Sequence, residues 1–263
     1  MRYKLLKKVI INGKIKAETG LAIGGSNTAM GIGGIDKGVI RNPVTQEPYI
    51  PGSTLKGKMR SLLELNYGEI GEKPMGAVKN GPCENDGARS AKLFGTASST
   101  DYEDREKRKG YQHASRIIVR DAFLSKTQEG DKSIADFFKG TDLLYTEVKT
   151  EVVIDRITSK AMPRQLERVP AGTLFDFELV VNFFEAHDKE GKLADKDDEA
   201  KMMQDVFSAL QMVQNDYIGG SGTRGSGQVS FNIDSIVERT DAFYCGNEAE
   251  KDLTASYKSK FPK

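Results

Sequence analysis

The stretch that decides the fold is LFDFELVVNF, residues 174–183. Its apolar side chains recur at every second position and place one set on a single side: Phe175, Phe177, Leu179, Val181 and Phe183. A period of two residues is typical of a strand with one buried face. The stretch therefore predicts a strand that lines a hydrophobic core with aromatic and aliphatic side chains.

Working outward from this strand, the chain alternates between strand and helix patterns. Apolar spacing of three to four residues predicts amphipathic helices, and alternation predicts further strands. The predicted order is strand 4–16, helix 54–66, strand 116–124, strand 174–183, helix 198–215 and a strand from Val229. This β-α-β-β-α-β order is the ferredoxin-like arrangement, which RNA-recognition domains share. We therefore predict an α+β fold with a ferredoxin-like/RNA-recognition-motif core.

Two long insertions separate the core segments, at about 67–115 and 125–171, and the second contains a possible hairpin. No internal repeat or linker divides the chain, so we expect a single domain over residues 1–263. Its core segments are expected at about 4–66, 116–124 and 172–238. The polar tail, at about 241–263, is expected to be loosely held.

Composition excludes several classes of protein. The 263 residues are 38% hydrophobic, which is enough for a core. Two cysteines, Cys83 and Cys245, are too few for a disulfide scaffold and fit a reducing compartment, so we expect a cytoplasmic protein. No apolar run approaches a membrane span, and the basic start lacks the apolar core of a signal peptide. Secreted, membrane-embedded and collagen-like classes are not expected.

Charge is unevenly distributed, although the formal net charge is only +1. Residues 1–60 contain eleven Lys and Arg against three Asp and Glu, whereas residues 185–205 contain eight acids against four Lys. This asymmetry indicates one basic face and one acidic face, or local clustering on a solvated surface.

A glycine-rich loop, residues 219–227, is a candidate anion-binding segment. Its backbone amides are not covered by side chains, and Arg224 adds a positive charge. It follows a predicted helix and lacks the Lys-Ser/Thr of a Walker loop, so it is not a nucleotide-binding fingerprint. A flexible connection is the alternative. The candidate phosphate contacts are Gly219, Gly220, Gly222, Arg224, Gly225 and Gly227.

The predicted helix 54–66 has a basic side close to its N-terminus, where a helix attracts anions. Ser53 is the predicted N-cap residue. Lys56, Lys58 and Arg60 are candidate phosphate contacts, and a solvated basic face is the alternative.

Asp36 is the candidate catalytic and metal-binding residue. It lies between glycines within the basic first part of the chain, where a carboxylate could hold Mg²⁺ against a phosphate; an aspartate in an ordinary turn is the alternative. His113, His187 and the two cysteines are far apart in the sequence and lack ligand spacing. We therefore expect no structural zinc.

Four blocks of sequence, in order, resemble a known family: residues 20–64, the motif Lys92-Leu-Phe-Gly95, residues 149–179 and the loop 219–227. Together they resemble the backbone subunit of type III-A CRISPR (Csm) effector complexes, within the RAMP superfamily. The resemblance spans about residues 5–235, and the blocks 20–64 and 149–179 are its most specific parts.

The resemblance implies a subunit that stacks in head-to-tail copies along one CRISPR RNA and grips its phosphates. It implies that a thumb hairpin within about 146–170 disrupts base pairing at regular intervals. It also implies that Asp36, with Mg²⁺ or Mn²⁺, cuts complementary target RNA beside each disruption. The implied partners are CRISPR RNA, target RNA, further copies of the chain and other Csm subunits, and no membrane. The implied thumb contacts are Arg156, Lys160, Arg164 and Arg168.

The chain departs from the family pattern at several positions. Many members have His where this chain has Ala22 and Pro where it has Gly38, and many carry a cysteine cluster where Cys83 stands alone. Two alternatives to the guide-binding endoribonuclease remain open. One is an RNA-binding scaffold without cleavage, and the other is a standalone RAMP nuclease that matures precursor RNA with a His or Tyr base.

Overall fold

The computed structural model of the chain describes residues 2–24, 38–70, 80–83, 85, 87–96, 114–188 and 190–258. The strands of this part, in chain order, are β1 (Arg2–Ala17), β2 (Tyr49–Ile50), β3 (Ile117–Val119), β4 (Ala122–Leu124), β5 (Thr127–Gln128), β6 (Lys132–Ser133), β7 (Glu147–Ile154), β8 (Ala161–Arg168), β9 (Leu174–His187), β10 (Leu193–Lys196), β11 (Val229–Thr240) and β12 (Lys251–Asp252). Its helices are α1 (Gly52–Tyr67), α2 (Arg89–Phe94), α3 (Ile134–Phe137), α4 (Glu199–Gln214), α5 (Asp241–Tyr244) and α6 (Thr254–Lys258).

The main sheet is antiparallel throughout and is built on β1. Its strand order is β12-β11-β1-β9-β4-β2, with β3 paired to β9 beside β4 and β10 paired to the far end of β9. The four core strands predicted from the sequence correspond, in chain order, to β1, to β3 with β4, to β9 and to β11. Across the sheet they lie in the order fourth, first, third, second. Helices α1 and α4 follow the first and third of them, so the ferredoxin-like prediction is confirmed.

The core lies between this sheet and the two long helices, which pack against each other. The inward side of β9 carries the five apolar residues that predicted it, all of them buried. Leu55, Met59 and Leu63 line the buried side of α1, and Val206 and Leu210 that of α4. Each such side chain stabilises the fold by about 1.5–3 kcal/mol through burial. No helix in the described ranges combines the length and apolar character needed to span a bilayer.

The predicted strand 116–124 is interrupted at residues 120–121 and forms β3 and β4. Asp121, within this interruption, contacts the start of α1: its Oδ1 accepts a hydrogen bond of 2.7 Å from the Gly52 amide. A side chain at Gly52 would not fit, since its Cβ would lie 2.2 Å from the Val119 carbonyl oxygen. The predicted N-cap is therefore wrong: Pro51 occupies that position, and Ser53 lies in the first turn.

The second insertion contains a long hairpin formed by β7 and β8, which we call the thumb hairpin (residues 147–168). Its register runs without a break from Glu147 opposite Arg168 to Ile154 opposite Ala161. The hairpin forms its own two-stranded sheet and does not extend the main one. It lies within residues 146–170, the range that the resemblance implies for a thumb.

The C-terminal tail is not loosely held over residues 241–258, contrary to the prediction. Strand β12 pairs with β11, and the Thr254 hydroxyl accepts a hydrogen bond of 2.9 Å from the Ile236 amide. Leu253 is buried, and the Tyr257 ring packs on that of Phe207. The polar composition of the tail gave no sign of these contacts, because only two side chains within residues 241–258, Leu253 and Tyr257, pack against the core.

Candidate nucleic-acid interface

Segments far apart in the sequence meet at the base of the thumb hairpin. Leu21 and Val169 exchange two backbone hydrogen bonds of 2.8 Å. Gly24 pairs with Val39, so the residues on either side of 25–37 are joined to each other. The structure thus brings both flanks of the segment that contains Asp36 to the thumb. Asp36 itself lies outside the described residues.

A buried carboxylate ties this junction together. Glu167, at the end of β8, accepts hydrogen bonds from the Val39 amide at 2.9 Å, the Thr146 hydroxyl at 2.6 Å and the Arg41 guanidinium at 2.5 Å. Arg41 also donates to the carbonyl oxygen of Leu144. Burial raises the pKa of Glu167, but the bonds from Thr146, Val39 and Arg41 outweigh this effect and hold the pKa below its ordinary value.

The glycine loop 219–227 is packed rather than loose. The Gly220 amide donates to the carbonyl oxygen of Ala22 at 2.7 Å, and the Gly227 amide donates to that of Gly20 at 3.0 Å. A Cβ on Gly222 would lie 2.0 Å from the Tyr217 ring. The loop therefore lies directly against residues 20–22, which precede the segment that contains Asp36. Its backbone is left-handed at three of the predicted contacts, namely Gly219, Gly225 and Gly227.

Arg224 connects the glycine loop to the thumb hairpin. It lies in a 3₁₀ turn, Gly222–Arg224, and its side chain is 68% exposed. Its Nη1 lies 2.9 Å from Oε2 of Glu151 on β7, and the Lys149 ammonium lies 3.2 Å from the other oxygen. The hydrogen bond from Arg224, followed by that from Lys149, lowers the pKa of Glu151. This carboxylate therefore stays ionised between two cations.

The three basic side chains of α1 have different surroundings. Lys56 donates to the Ser115 hydroxyl at 2.8 Å, and burial, with the charge of Arg60, lowers its pKa. No carboxylate in the described part of the chain pairs with Lys56. A half-buried cation that has no counter-ion among the described residues is suited to an external anion.

The other two cations of α1 already have partners within the chain. Lys58 lies 2.8 Å from a carboxylate oxygen of Asp216 and 3.9 Å from the ring centre of Tyr217, just before the glycine loop. Arg60 donates to Glu64 at 2.6 Å and to the Cys83 carbonyl oxygen at 2.7 Å. Lys58 thus reaches towards the glycine loop, whereas Arg60 holds α1 to a neighbouring segment. Ser53 is exposed beside them.

The predicted thumb contacts divide between the tip and the base of the hairpin. Arg156, Lys160 and Arg164 are exposed towards the tip. Arg168 is at the base, where its Nε lies 2.5 Å from Glu147. The tip also exposes apolar side chains, and Ile157 in the turn is 93% exposed. An exposed apolar side chain flanked by cations suits insertion between stacked bases beside phosphates.

The described residues do not form a metal site. Across the parts of the chain that the structure describes, no group of three or more His, Cys, Asp or Glu residues could hold a metal ion. The Glu167 carboxylate is committed to three donors and does not provide a metal ligand.

Sequence reasoning missed the residues that connect these parts. Arg41 and Glu167 are 126 positions apart, and Glu151 and Arg224 are 73 apart, so no local pattern joins them. The pairing of Arg60 with Glu64 did have a local signal, because residues four apart share a helix face.

Comparison with known proteins identifies the class. The model of the RAMP superfamily matches residues 14–230, and the chain belongs to this superfamily. Among curated relatives, the CRISPR system Cms endoribonuclease Csm3 of Methanothermobacter thermautotrophicus is 38% identical over 257 residues, which cover 96% of this chain and 94% of the relative. The protein with the same description from Streptococcus thermophilus is 40% identical over 225 residues, which cover 85% and 87%. Within the superfamily the chain belongs to the Csm3 family, and the resemblance found in the sequence is confirmed.

Solved structures support the fold. A crystal structure of a Csm3–Csm4 subcomplex of the type III-A CRISPR–Cas interference complex matches with a TM-score of 0.52 at 23% identity, covering 98% of this chain and 96% of that one. The crystal structure of Methanopyrus kandleri Csm3 matches with a TM-score of 0.53 at 22% identity, covering 92% and 80%. The chain therefore shares its fold with these proteins.

Proposed function

We propose that this chain is a guide-RNA-binding backbone subunit of a type III-A CRISPR interference complex and an endoribonuclease that cuts the complementary target RNA. The endoribonuclease name shared by the curated relatives supports the activity. The observation that carries the proposal is the junction at the thumb base. There the two flanks of the Asp36 segment are hydrogen-bonded to the hairpin and to Val169 just after it. The glycine loop bonds to residues 20 and 22 of one flank, and it reaches the middle of the hairpin through Arg224 and Glu151.

The proposed guide contacts read phosphates and not bases. Lys56, Lys58 and Arg224 are cations, and the amides of the glycine loop are donors for phosphate oxygens. A scaffold that serves many guides has to accept any sequence, and phosphate contacts carry no base information. Exposed thumb-tip cations would meet the guide–target duplex in the same way.

The proposed cleavage uses the target's own 2′-hydroxyl as the nucleophile. Attack in line with the leaving 5′-oxygen yields a 2′,3′-cyclic phosphate and a 5′-hydroxyl. The chain would hold the nucleotide with the thumb and place the Asp36 carboxylate beside the scissile phosphate. A divalent ion, Mg²⁺ or Mn²⁺, would offset the charge that builds on this phosphate.

We further propose that copies assemble head to tail along the guide with other Csm subunits. Repeated use of the same two surfaces gives an open filament rather than a closed dimer. A cytoplasmic location fits the two free cysteines, one of them exposed. Light scattering with and without guide should show assembly that requires RNA, and a two-fold dimer indifferent to RNA would contradict this arrangement.

The deciding experiment uses the assembled complex with its guide. Labelled complementary RNA is incubated with Mg²⁺, with Mn²⁺ or with chelator, and a non-complementary RNA serves as the control. We expect regularly spaced cuts of the complementary RNA only when metal is present. Binding without cuts would establish the scaffold alternative. Cutting of guide-precursor RNA by the chain alone would establish the standalone nuclease.

A further inference from the structure

An ion pair between Arg224 and Glu151 joins the glycine loop to the thumb hairpin. Arg224 is a candidate phosphate ligand, yet its Nη1 is occupied by Glu151 at 2.9 Å. Its side chain is 68% exposed, so solvent and an incoming ligand can reach it. Carboxylate and phosphate oxygens both accept hydrogen bonds from a guanidinium group in similar geometry. The pair therefore places an internal anion where an RNA phosphate would bind.

We propose that Glu151 competes with the guide-RNA phosphate for Arg224, so that guide binding releases the distal thumb hairpin from the glycine loop. The inference rests on the proposed function, because it takes Arg224 as a phosphate ligand. It adds a coupling between guide occupancy and thumb position. Such coupling is reciprocal: a thumb drawn away from the loop leaves Arg224 free and tightens guide binding.

The exchange is energetically feasible. Ion pairs with an exposed member are weak, and a polyanion that contacts several cations at once outcompetes a single carboxylate. Glu151 is not left without a partner after the exchange, since the Lys149 ammonium lies 3.2 Å from its other oxygen. The Glu151 carboxylate therefore keeps a neighbouring positive charge after Arg224 has been released.

The hairpin is held differently at its base. Glu167 is buried among Val39, Arg41 and Thr146, and Glu147 pairs with Arg168 across the first register position. These contacts do not involve the glycine loop, so the exchange at Arg224 leaves them intact. We therefore expect the part of the hairpin from Glu151 to the exposed tip to move, while the base stays in place.

The test is a double-mutant cycle on the full chain, with Kd measured for two unrelated single-stranded RNAs at fixed low salt. Glu151→Gln removes the competitor, and Arg224→Gln removes the cation. Glu147→Gln is the matched control, because it removes the same charge from the same hairpin while its partner, Arg168, lies at the base. Thermal unfolding confirms that each variant folds.

We expect Glu151→Gln to tighten binding of both RNAs by about two- to five-fold more than Glu147→Gln does, the range set by ion pairs of this kind. In the Arg224→Gln background this advantage should vanish. Equal effects of the two glutamate changes, or an advantage that persists without Arg224, would overturn the competition while leaving the proposed function intact. RNA binding that Arg224→Gln does not weaken would overturn both the competition and the assignment of Arg224 to RNA. A wild-type complex that binds no guide would instead contradict the proposed function itself.

Discussion

Glu167 accepts a hydrogen bond of 2.9 Å from the backbone amide of Val39, a residue 128 positions earlier in the chain. The bond joins the thumb hairpin to the residues that follow the Asp36 segment. Because the acceptor is a buried carboxylate, the junction is a charged one inside the protein, and it depends on Arg41 for compensation. Its stability should therefore respond to pH and to removal of that charge.

The first prediction concerns this pH dependence. The folded pKa of Glu167 is depressed, so its contribution to stability is present above the unfolded pKa, near 4.5, and is lost as pH falls through the lower folded value. Glu167→Gln should lower the free energy of unfolding by about 1–3 kcal/mol at pH 7. This deficit should shrink at acidic pH. Urea unfolding at pH 7 and near pH 3.5 measures it, and a deficit independent of pH would contradict the assignment.

The second prediction concerns cleavage. Asp36→Asn preserves size but removes the carboxylate charge, so it should abolish cutting of complementary RNA while guide and target affinities stay within about two-fold. Gel analysis of the cut products, with binding measured in parallel, checks both parts. Cuts at the same positions and rate in the variant would show that the reaction does not depend on this carboxylate.

The third prediction separates two cations of α1. Lys56→Ala should weaken binding about equally for unrelated guides and reduce the salt slope by about one, because one phosphate contact is lost. Its stability should hardly change, since no carboxylate in the described part of the chain depends on Lys56. Fluorescence anisotropy across a salt series measures the slope. A loss confined to one guide sequence would indicate base recognition instead.

Arg60→Ala is the companion variant. It leaves the buried Glu64 carboxylate without its guanidinium partner, so it should cost about 1–3 kcal/mol of folding stability in addition to any loss of RNA affinity. Urea unfolding of the two variants side by side tests the difference. Equal stabilities would show that the pairing of Arg60 with Glu64 contributes nothing net.

The fourth prediction is a graded series in the glycine loop. Gly220→Ala should be nearly neutral, since the nearest atom to a new Cβ is 3.6 Å away. Gly225→Ala has open space but a φ of 81°, and should cost about 1 kcal/mol. Gly227→Ala combines a φ of 84° with a contact of 2.2 Å to the Ile218 carbonyl oxygen, and should cost the most. Thermal unfolding orders the three, and any other order would contradict the packed loop.

The sequence predicted the core well because the core is periodic. The alternation around Phe177 and the helical spacing around Met59 each follow from one buried face, and a buried face repeats over many residues. The predicted boundaries of the two long helices differ from the observed ones by at most two residues. The break in the strand 116–124 was missed because its cause is remote: Asp121 caps the start of α1, 69 positions earlier.

The types of residue in the candidate site could be predicted from the sequence, but the contacts between them could not. The glycines and Arg224 of the loop 219–227, and the cations of α1, indicate anion binding from residue type alone. Nothing local indicated that Arg224 meets Glu151 or that Arg60 is committed to Cys83 as well as Glu64. The partner of a charged side chain is set by tertiary packing, and a single sequence carries no record of that packing.

Among the residues that the structure describes, the strand order of the main sheet ends in a strand of only two residues on each side, β12 at one edge and β2 at the other. An exposed edge offers unpaired backbone groups to other chains, and a short outermost strand limits such pairing. In the proposed assembly, consecutive copies on one RNA would experience a very high local concentration of each other. In that arrangement β12 would block strand pairing between neighbouring copies only at Val237 and Glu238. The Gln214 side chain, which accepts a hydrogen bond of 2.7 Å from the Phe231 amide, would block it at one further point along β11.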